Sequence, residues 1–280
     1  MPGTLETVKT GISALDAVLK EGMPRSSFVV ISGEGGTGKS VLLSELFYHR
    51  LEAGEPCIYI CLDDLPNTVI QQMLRFGWSL QKYLDAGKAR FIDCFSFRIK
   101  PEKVSTWVTL VNEPSDLMSF LITLETTMDE LGMRNRGAVI IDSLTEFMTL
   151  AEPGLLIEAI KTWRARGPKE RGVIFFGSMH FGIATLGRAT DVLDYIVDGI
   201  IDLRYDPFFM QQGQLVKQLR VRKMKGVSHS TEWVPFGVGE AGIQILPQAR
   251  VRQLRGKDAK KFLEDVLEKM REKEGPDAKR

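Results

Sequence analysis

The chain has 280 residues, 44% of them apolar, with 37 Lys and Arg against 36 Asp and Glu and a formal charge of +1. That length allows one large domain or two small ones, and no run is long and apolar enough to span a bilayer, so no membrane role is expected. Near-neutral charge gives no general electrostatic reason to expect nucleic acid.

The N-terminus, Met1-Pro2-Gly3-Thr4-Leu5-Glu6, has neither the basic stretch nor the apolar core of a signal peptide, so a cytoplasmic protein is expected. Phe28-Val29-Val30-Ile31 then reads as a buried strand. Gly33-Glu34-Gly35-Gly36-Thr37-Gly38-Lys39-Ser40 follows, and the run from Val41 to Phe47 has helical spacing of apolar residues. Strand, glycine loop and helix form the setting in which this eight-residue pattern works as a P-loop. Its glycines let the main-chain N–H groups from Gly33 to Val41 curl around phosphates, and the helix adds its positive end. Lys39 would reach the β- and γ-phosphates, and the Ser40 hydroxyl would ligate Mg²⁺. A nucleoside triphosphate is the expected ligand.

Further along, Cys57-Ile58-Tyr59-Ile60-Cys61 reads as the next strand and ends at Asp63 and Asp64. Two carboxylates at the carboxyl edge of an α/β sheet can orient and deprotonate a water, or one can cap the helix expected over 66–76. Cys57, Cys61 and Cys94 read as small core residues, since one CxxxC pair is a poor metal signature. A strand is expected over 89–93, a loop from Ser96 and a helix over 115–132. Ala138-Val139-Ile140-Ile141-Asp142 is a strand that ends on a carboxylate, the form taken by a Mg²⁺-binding acid, with a helix-capping role as the alternative. A helix over 155–166 and a strand over 172–176 place Ser178 and His180 just beyond the strand, at the ligand edge. There a polar group can hydrogen-bond a γ-phosphate, although His180 reads equally well as a strand-end residue.

From about residue 196 the pattern changes to short strands over 197–204, 214–221 and 232–236, expected to be antiparallel. The fold class is therefore α/β, a mostly parallel twisted sheet with helices on both faces and appended antiparallel strands. One domain over 1–246 and a charged tail over 247–280 are expected. In the tail, Phe262, Val266 and Met270 form an apolar stripe that suits packing, partner docking or DNA contact.

The run from Thr10 to Leu19, then Gly22-Met23-Pro24 and the P-loop, resembles the opening of RecA-superfamily ATPases, in particular the KaiC-like and RadA-paralogue branch. Met73 to Trp78, Asp194 to Ile201, Val221 to His229 and Pro235-Phe236 extend the resemblance to about residue 246. It implies a RecA core binding ATP and Mg²⁺ between subunits of a homo-oligomeric ring, a hexamer being one candidate size. In that branch the acidic pair is usually two glutamates, one of them the catalytic base, and the matching positions here hold Asp63 and Asp64. Aspartate is roughly 1.5 Å shorter, and a misplacement of about 1 Å can cost on the order of a hundredfold in rate. The family offers a lysine and an arginine in trans to the neighbour's γ-phosphate, and Lys223 and Lys225 match those positions. Lysine lacks arginine's two-pronged fork. Slow ATP hydrolysis is implied. The family's clock protein carries two such cores and this chain has room for one, so neither clock function nor autophosphorylation follows.

Three readings stand at this point. One is an oligomeric, nucleotide-switched regulator of a protein partner. Another is a repair accessory that binds single-stranded DNA through the 181–190 segment, where Arg188 is the one cation and Phe181 the one aromatic. The third is a nucleotide-binding scaffold with negligible hydrolysis.

Overall fold

The computed structural model describes residues 6–99, 101–180 and 187–247. A two-stranded ribbon of β1 (Thr7–Val8) and β2 (Met23–Pro24) flanks helix α1 (Ser13–Val18). The Asp16 carboxylate accepts from the amides of Thr10 and Gly11 and from the Thr10 hydroxyl, which is why this opening motif needs those residues. The core then alternates β3 (Phe28–Gly33), α2 (Lys39–Glu52), β4 (Cys57–Cys61), α3 (Pro66–Arg75), α4 (Gln81–Asp85), β5 (Ala89–Asp93) and β6 (Val108–Leu110). It continues through α5 (Leu117–Glu130), β7 (Ala138–Asp142), α6 (Leu144–Leu150), α7 (Pro153–Arg164), β8 (Ile174–His180) and α8 (Gly187–Ile196). The chain closes with β9 (Gly199–Tyr205), α9 (Pro207–Met210), β10 (Lys217–Met224), β11 (Val234–Gly239) and β12 (Gly242–Ile245).

The sheet order is β12-β11-β10-β9-β3-β8-β7-β4-β5-β6. From β9 to β6 all pairings are parallel, and β10, β11 and β12 add antiparallel. Central parallel strands are buried on both faces, which explains their unbroken apolar runs. Alternation divides them cleanly. Val29, Ile31, Tyr59, Ile140, Phe176 and Ile201 pack with α1 and α2, while Phe28, Val30, Ile58, Val139, Phe175 and Ile200 pack with α5, α6 and α7. The expected α/β class with an antiparallel extension is the observed one.

Some expectations need correction. β8 starts at Ile174 and runs on to His180, so Ser178 and His180 lie inside the strand instead of beyond it. Gly177 permits this, because a Cβ there would sit 2.6 Å from the Leu144 side chain that packs over the strand. The expected loop from Ser96 contains edge strand β6, only three residues long and half-buried, too short to register as a period. Two of the capping alternatives also fall. The residue capping α3 is Leu65, with Pro66 in the first turn, and α6 is capped by Ser143, whose hydroxyl accepts from the Glu146 amide. Cys57, Cys61 and Cys94 are buried and unpaired, as expected, and burial pushes each thiol's pKa up. No helix among the described residues is long and apolar enough to cross a membrane.

Candidate functional site

The glycine loop joins the end of β3 to the start of α2 at the carboxyl edge of the sheet. Gly36 has φ +76 and Gly38 φ +107, left-handed conformations in which glycine carries no Cβ penalty. Gly33 is needed for a different reason, since a Cβ there would sit 2.4 Å from the Leu203 carbonyl oxygen of β9. The Thr37 hydroxyl donates to the Glu34 carbonyl at 2.8 Å and holds the loop's curve. No side chain caps the first turn of α2, a 14-residue helix, and no acid lies in that turn. Its first amides and dipole end are therefore presented to an anion. Glu34, Gly35, Gly36 and Ser40 are exposed at this mouth, and Val41 is half-buried.

Lys39 is 5% exposed and spans the loop, donating to the carbonyls of Gly33 at 3.0 Å and Glu34 at 2.8 Å. Burial lowers its pKa to about 8, against the opposing charges of Asp142, Asp63 and Glu34.

A cavity of about 150 Å³ opens beside the loop, lined by Ser40, Tyr59, Asp63, Asp64, Gln72 and Asp142 among others. The fold thus brings the P-loop serine and all three acids singled out in the sequence into one recess. Asp142, the last residue of β7, accepts from the Tyr59 phenol at 2.9 Å and the Ser178 hydroxyl at 2.6 Å. The two neighbouring acids differ in their surroundings. Asp64 is tied to α3, accepting from the Leu65 amide at 2.8 Å and the Gln72 side-chain amide at 3.2 Å. Asp63 keeps contact with solvent, yet crowding raises its pKa. Desolvation is the first cause, opposed by a Ser143 hydrogen bond and reinforced by the charges of Asp142 and Glu146.

His180 pairs in register with Gly33, and its amide donates to the Thr145 hydroxyl at 2.9 Å. Burial and then the Lys39 charge lower the imidazole's pKa, which keeps it neutral at pH 7.

Lys223 and Lys225 lie elsewhere. Because β10 runs antiparallel to β9, Lys223 sits beside Ile200, and Ile200 sits beside Val30. That is three residues, about 10 Å, below Gly33 and toward the amino edge. The Lys223 ammonium donates to the Asp194 carbonyl of α8 at 2.6 Å, and the Lys225 ammonium is 4.0 Å from Asp198. The chain's own P-loop is therefore not their partner. The 181–186 part of the candidate DNA segment, the Arg188 side chain and residues 248–280 of the tail lie outside what the structure describes.

Sequence reasoning missed Tyr59, Thr145, and the Arg98–Glu146 ion pair at 2.5 Å beside Asp63. Tyr59 carried a usable signal, because a hydroxyl in the middle of a buried Cys-Ile-Tyr-Ile-Cys strand has to find a partner. The ion pair carried none, since its members are 48 residues apart.

The donor set fits Mg²⁺, which takes oxygen ligands and is held by one or two protein groups together with waters and phosphate. Ser40 and Asp142 supply such oxygens, and among the described residues no cluster of three or more His, Cys, Asp or Glu suits a metal cage.

A family model described as the KaiC ATPase matches residues 8–250. A UPF0273 protein of Pyrococcus furiosus is 30% identical over 249 residues, spanning 89% of this chain and 97% of that protein. Another, of Methanocaldococcus jannaschii, is 31% identical over 256 residues, spanning 90% of this chain and 100% of that protein. The crystal structure of a KaiC-like protein from Pyrococcus horikoshii matches with a TM-score of 0.70 at 23% identity, covering 87% of this chain and 100% of that one, which shows a shared fold. The chain belongs to the KaiC ATPase family of the RecA superfamily.

Proposed function

We propose that the protein binds Mg-ATP at the glycine loop and hydrolyses it slowly, as a homo-oligomer whose nucleotide state is read by a protein partner. The observation that carries this reading is one recess holding Ser40 and three carboxylates, at an uncapped helix N-terminus and beside the loop that Lys39 spans. Main-chain amides of Gly33 to Val41 hold the phosphates, and the Lys39 ammonium exchanges its two carbonyl partners for phosphate oxygens. Ser40 and Asp142 hold Mg²⁺, which neutralises charge that develops on the transferring phosphoryl group.

Asp63 is the residue assigned to orient and deprotonate the attacking water. Its raised pKa makes it a better proton acceptor than an ordinary aspartate. Asp64 holds α3 in place beside it. Ser178, expected to sense the γ-phosphate, gives its hydroxyl to Asp142 instead, which leaves His180 for the sensing role at the level of Gly33. Aspartate in place of glutamate, and Lys225 in place of arginine, both support slow turnover.

Lys223 and Lys225 reach a γ-phosphate only if a second copy presents its loop to them. The 85% exposed Tyr195, whose carbonyl is 3.4 Å from the Lys223 ammonium, marks an uncovered surface beside them and supports that assembly. Calorimetric titration of Mg-ATP tests the reading. Wild type is expected to bind and Lys39→Ala to lose binding, and equal affinity for the two would overturn the assignment.

A further inference from the structure

Asp142 is gripped from both neighbouring strands. On one side, β4 pairs with β7 so that Tyr59 lies level with Ile140, two residues before Asp142. Tyr59 is therefore a diagonal neighbour of Asp142 across the parallel pair, a gap that its long side chain spans. The phenol crosses that gap and donates to Asp142 Oδ2 at 2.9 Å. On the other side, Ile141 is level with Gly177, so Ser178 stands next to Asp142 and donates to Oδ1 at 2.6 Å. Each carboxylate oxygen thus accepts from one hydroxyl, and the plane of the group is fixed by two elements that do not belong to its own strand.

The Tyr59 ring cannot swing away easily. It is 1% exposed, edge-on to Phe47 of α2 at 5.4 Å and stacked on Phe91 of β5 at 5.7 Å. Two hydroxyls, Tyr59 on β4 and Ser178 on β8, therefore close on the acid from either side.

We propose that Tyr59 and Ser178 are positioning residues that aim Asp142 at the divalent cation, so that they govern metal affinity and leave the grip on the nucleotide itself unchanged. The inference rests on the reading of this recess as a Mg-nucleotide site. A carboxylate that touches a cation through its water shell has to present its free lone pairs in one direction, and losing one fixed hydroxyl lets it rotate. Among the described residues, neither hydroxyl shares a hydrogen bond with Lys39, whose ammonium goes to the Gly33 and Glu34 carbonyls.

The test uses the full chain with MnCl₂ and a non-hydrolysable ATP analogue. Bound Mn²⁺ is read by electron paramagnetic resonance, and analogue binding in EDTA is read separately by calorimetry. Tyr59→Phe removes only the hydroxyl and keeps the ring between Phe47 and Phe91. It is expected to weaken Mn²⁺ binding about tenfold, from the loss of one hydrogen bond to a carboxylate, with analogue affinity in EDTA unchanged. Ser178→Ala is the second variant, should Tyr59→Phe fold poorly, and the same split is expected of it. Unchanged Mn²⁺ affinity in the folded variants overturns the inference, as does an equal loss of analogue affinity in EDTA. If wild type takes up no analogue even with Mn²⁺ present, the nucleotide reading fails first and this inference falls with it; uptake with Mn²⁺ but none in EDTA overturns this inference alone.

Discussion

The buried carboxylate of Glu45, on α2, accepts the main-chain amide of Ile243, on β12, at 2.8 Å across a separation of 198 residues. It fastens the last strand of the antiparallel extension to the helix that follows the glycine loop. Glu45→Ala leaves the Ile243 amide buried without a partner and is expected to cost about 1–3 kcal/mol of stability, measured by urea unfolding. His49 lies 3.8 Å from the same carboxylate, and its pKa is raised chiefly by Glu45, against burial. That share of stability is full below the unfolded His pKa of 6.5 and declines as pH rises through the raised folded value. The variant should therefore also show a flatter stability profile above pH 6.5. Wild-type stability and an unchanged profile would refute the tether.

The Lys39 pKa of about 8 gives nucleotide binding a proton signature. Above pH 8 the unliganded ammonium is increasingly neutral, and a triphosphate favours the charged form. Binding at pH 8.5 should take up a fraction of a proton, while binding at pH 6.5 takes up almost none from this group. Calorimetry in buffers of different ionisation enthalpy measures that uptake directly. Equal uptake at both pH values would exclude Lys39 as its source.

The division of labour between the paired acids separates them kinetically. Asp63→Asn is expected to lower single-turnover hydrolysis by 10²-fold or more, consistent with the loss of a general base (about 10²–10⁴). Asp64→Asn keeps an acceptor for the Leu65 amide and should cost less than about tenfold. A reversed order would move the base to Asp64. No effect from either would make the protein a scaffold.

The proposed trans role of the lysines at the amino edge would tie turnover to assembly. Lys223→Ala should bind ATP almost as wild type while hydrolysing it more slowly, and specific activity of wild type should fall on dilution below the assembly threshold. Light scattering with and without Mg-ATP locates that threshold. A monomer whose rate is independent of concentration would remove the trans role.

Much of this was legible in the residues. The strands over Cys57–Cys61 and Ala138–Asp142 were bounded correctly because each is an apolar run flanked by loop residues, which is what burial on both faces demands, and Ala89–Asp93 was bounded correctly although Arg90 interrupts its apolar residues. The glycine loop and the three acids that share a recess with it were visible because the pattern expected for phosphate and metal binding puts those residue types at set places along the chain. What stayed hidden depends on contacts between strands. Ser178 looked like a phosphate sensor because its neighbour across the sheet, Asp142, is 36 residues away in sequence. The roles of Asp63 and Asp64 could not be told apart until Gln72 and the Leu65 amide were seen to occupy Asp64 alone.

The 2.4 Å clearance between a Cβ at position 33 and the Leu203 carbonyl has a mechanical corollary. Leu203 of β9 is the register partner of Gly33, so β9 lies directly against the floor of the glycine loop and leaves no room for a side chain there. The neighbouring strand β10 carries Lys223 in register with β9. Lys223 and Gly33 therefore belong to one hydrogen-bonded sheet two strands apart, with a register irregularity between Val221 and Lys223 at the point where that lysine joins it.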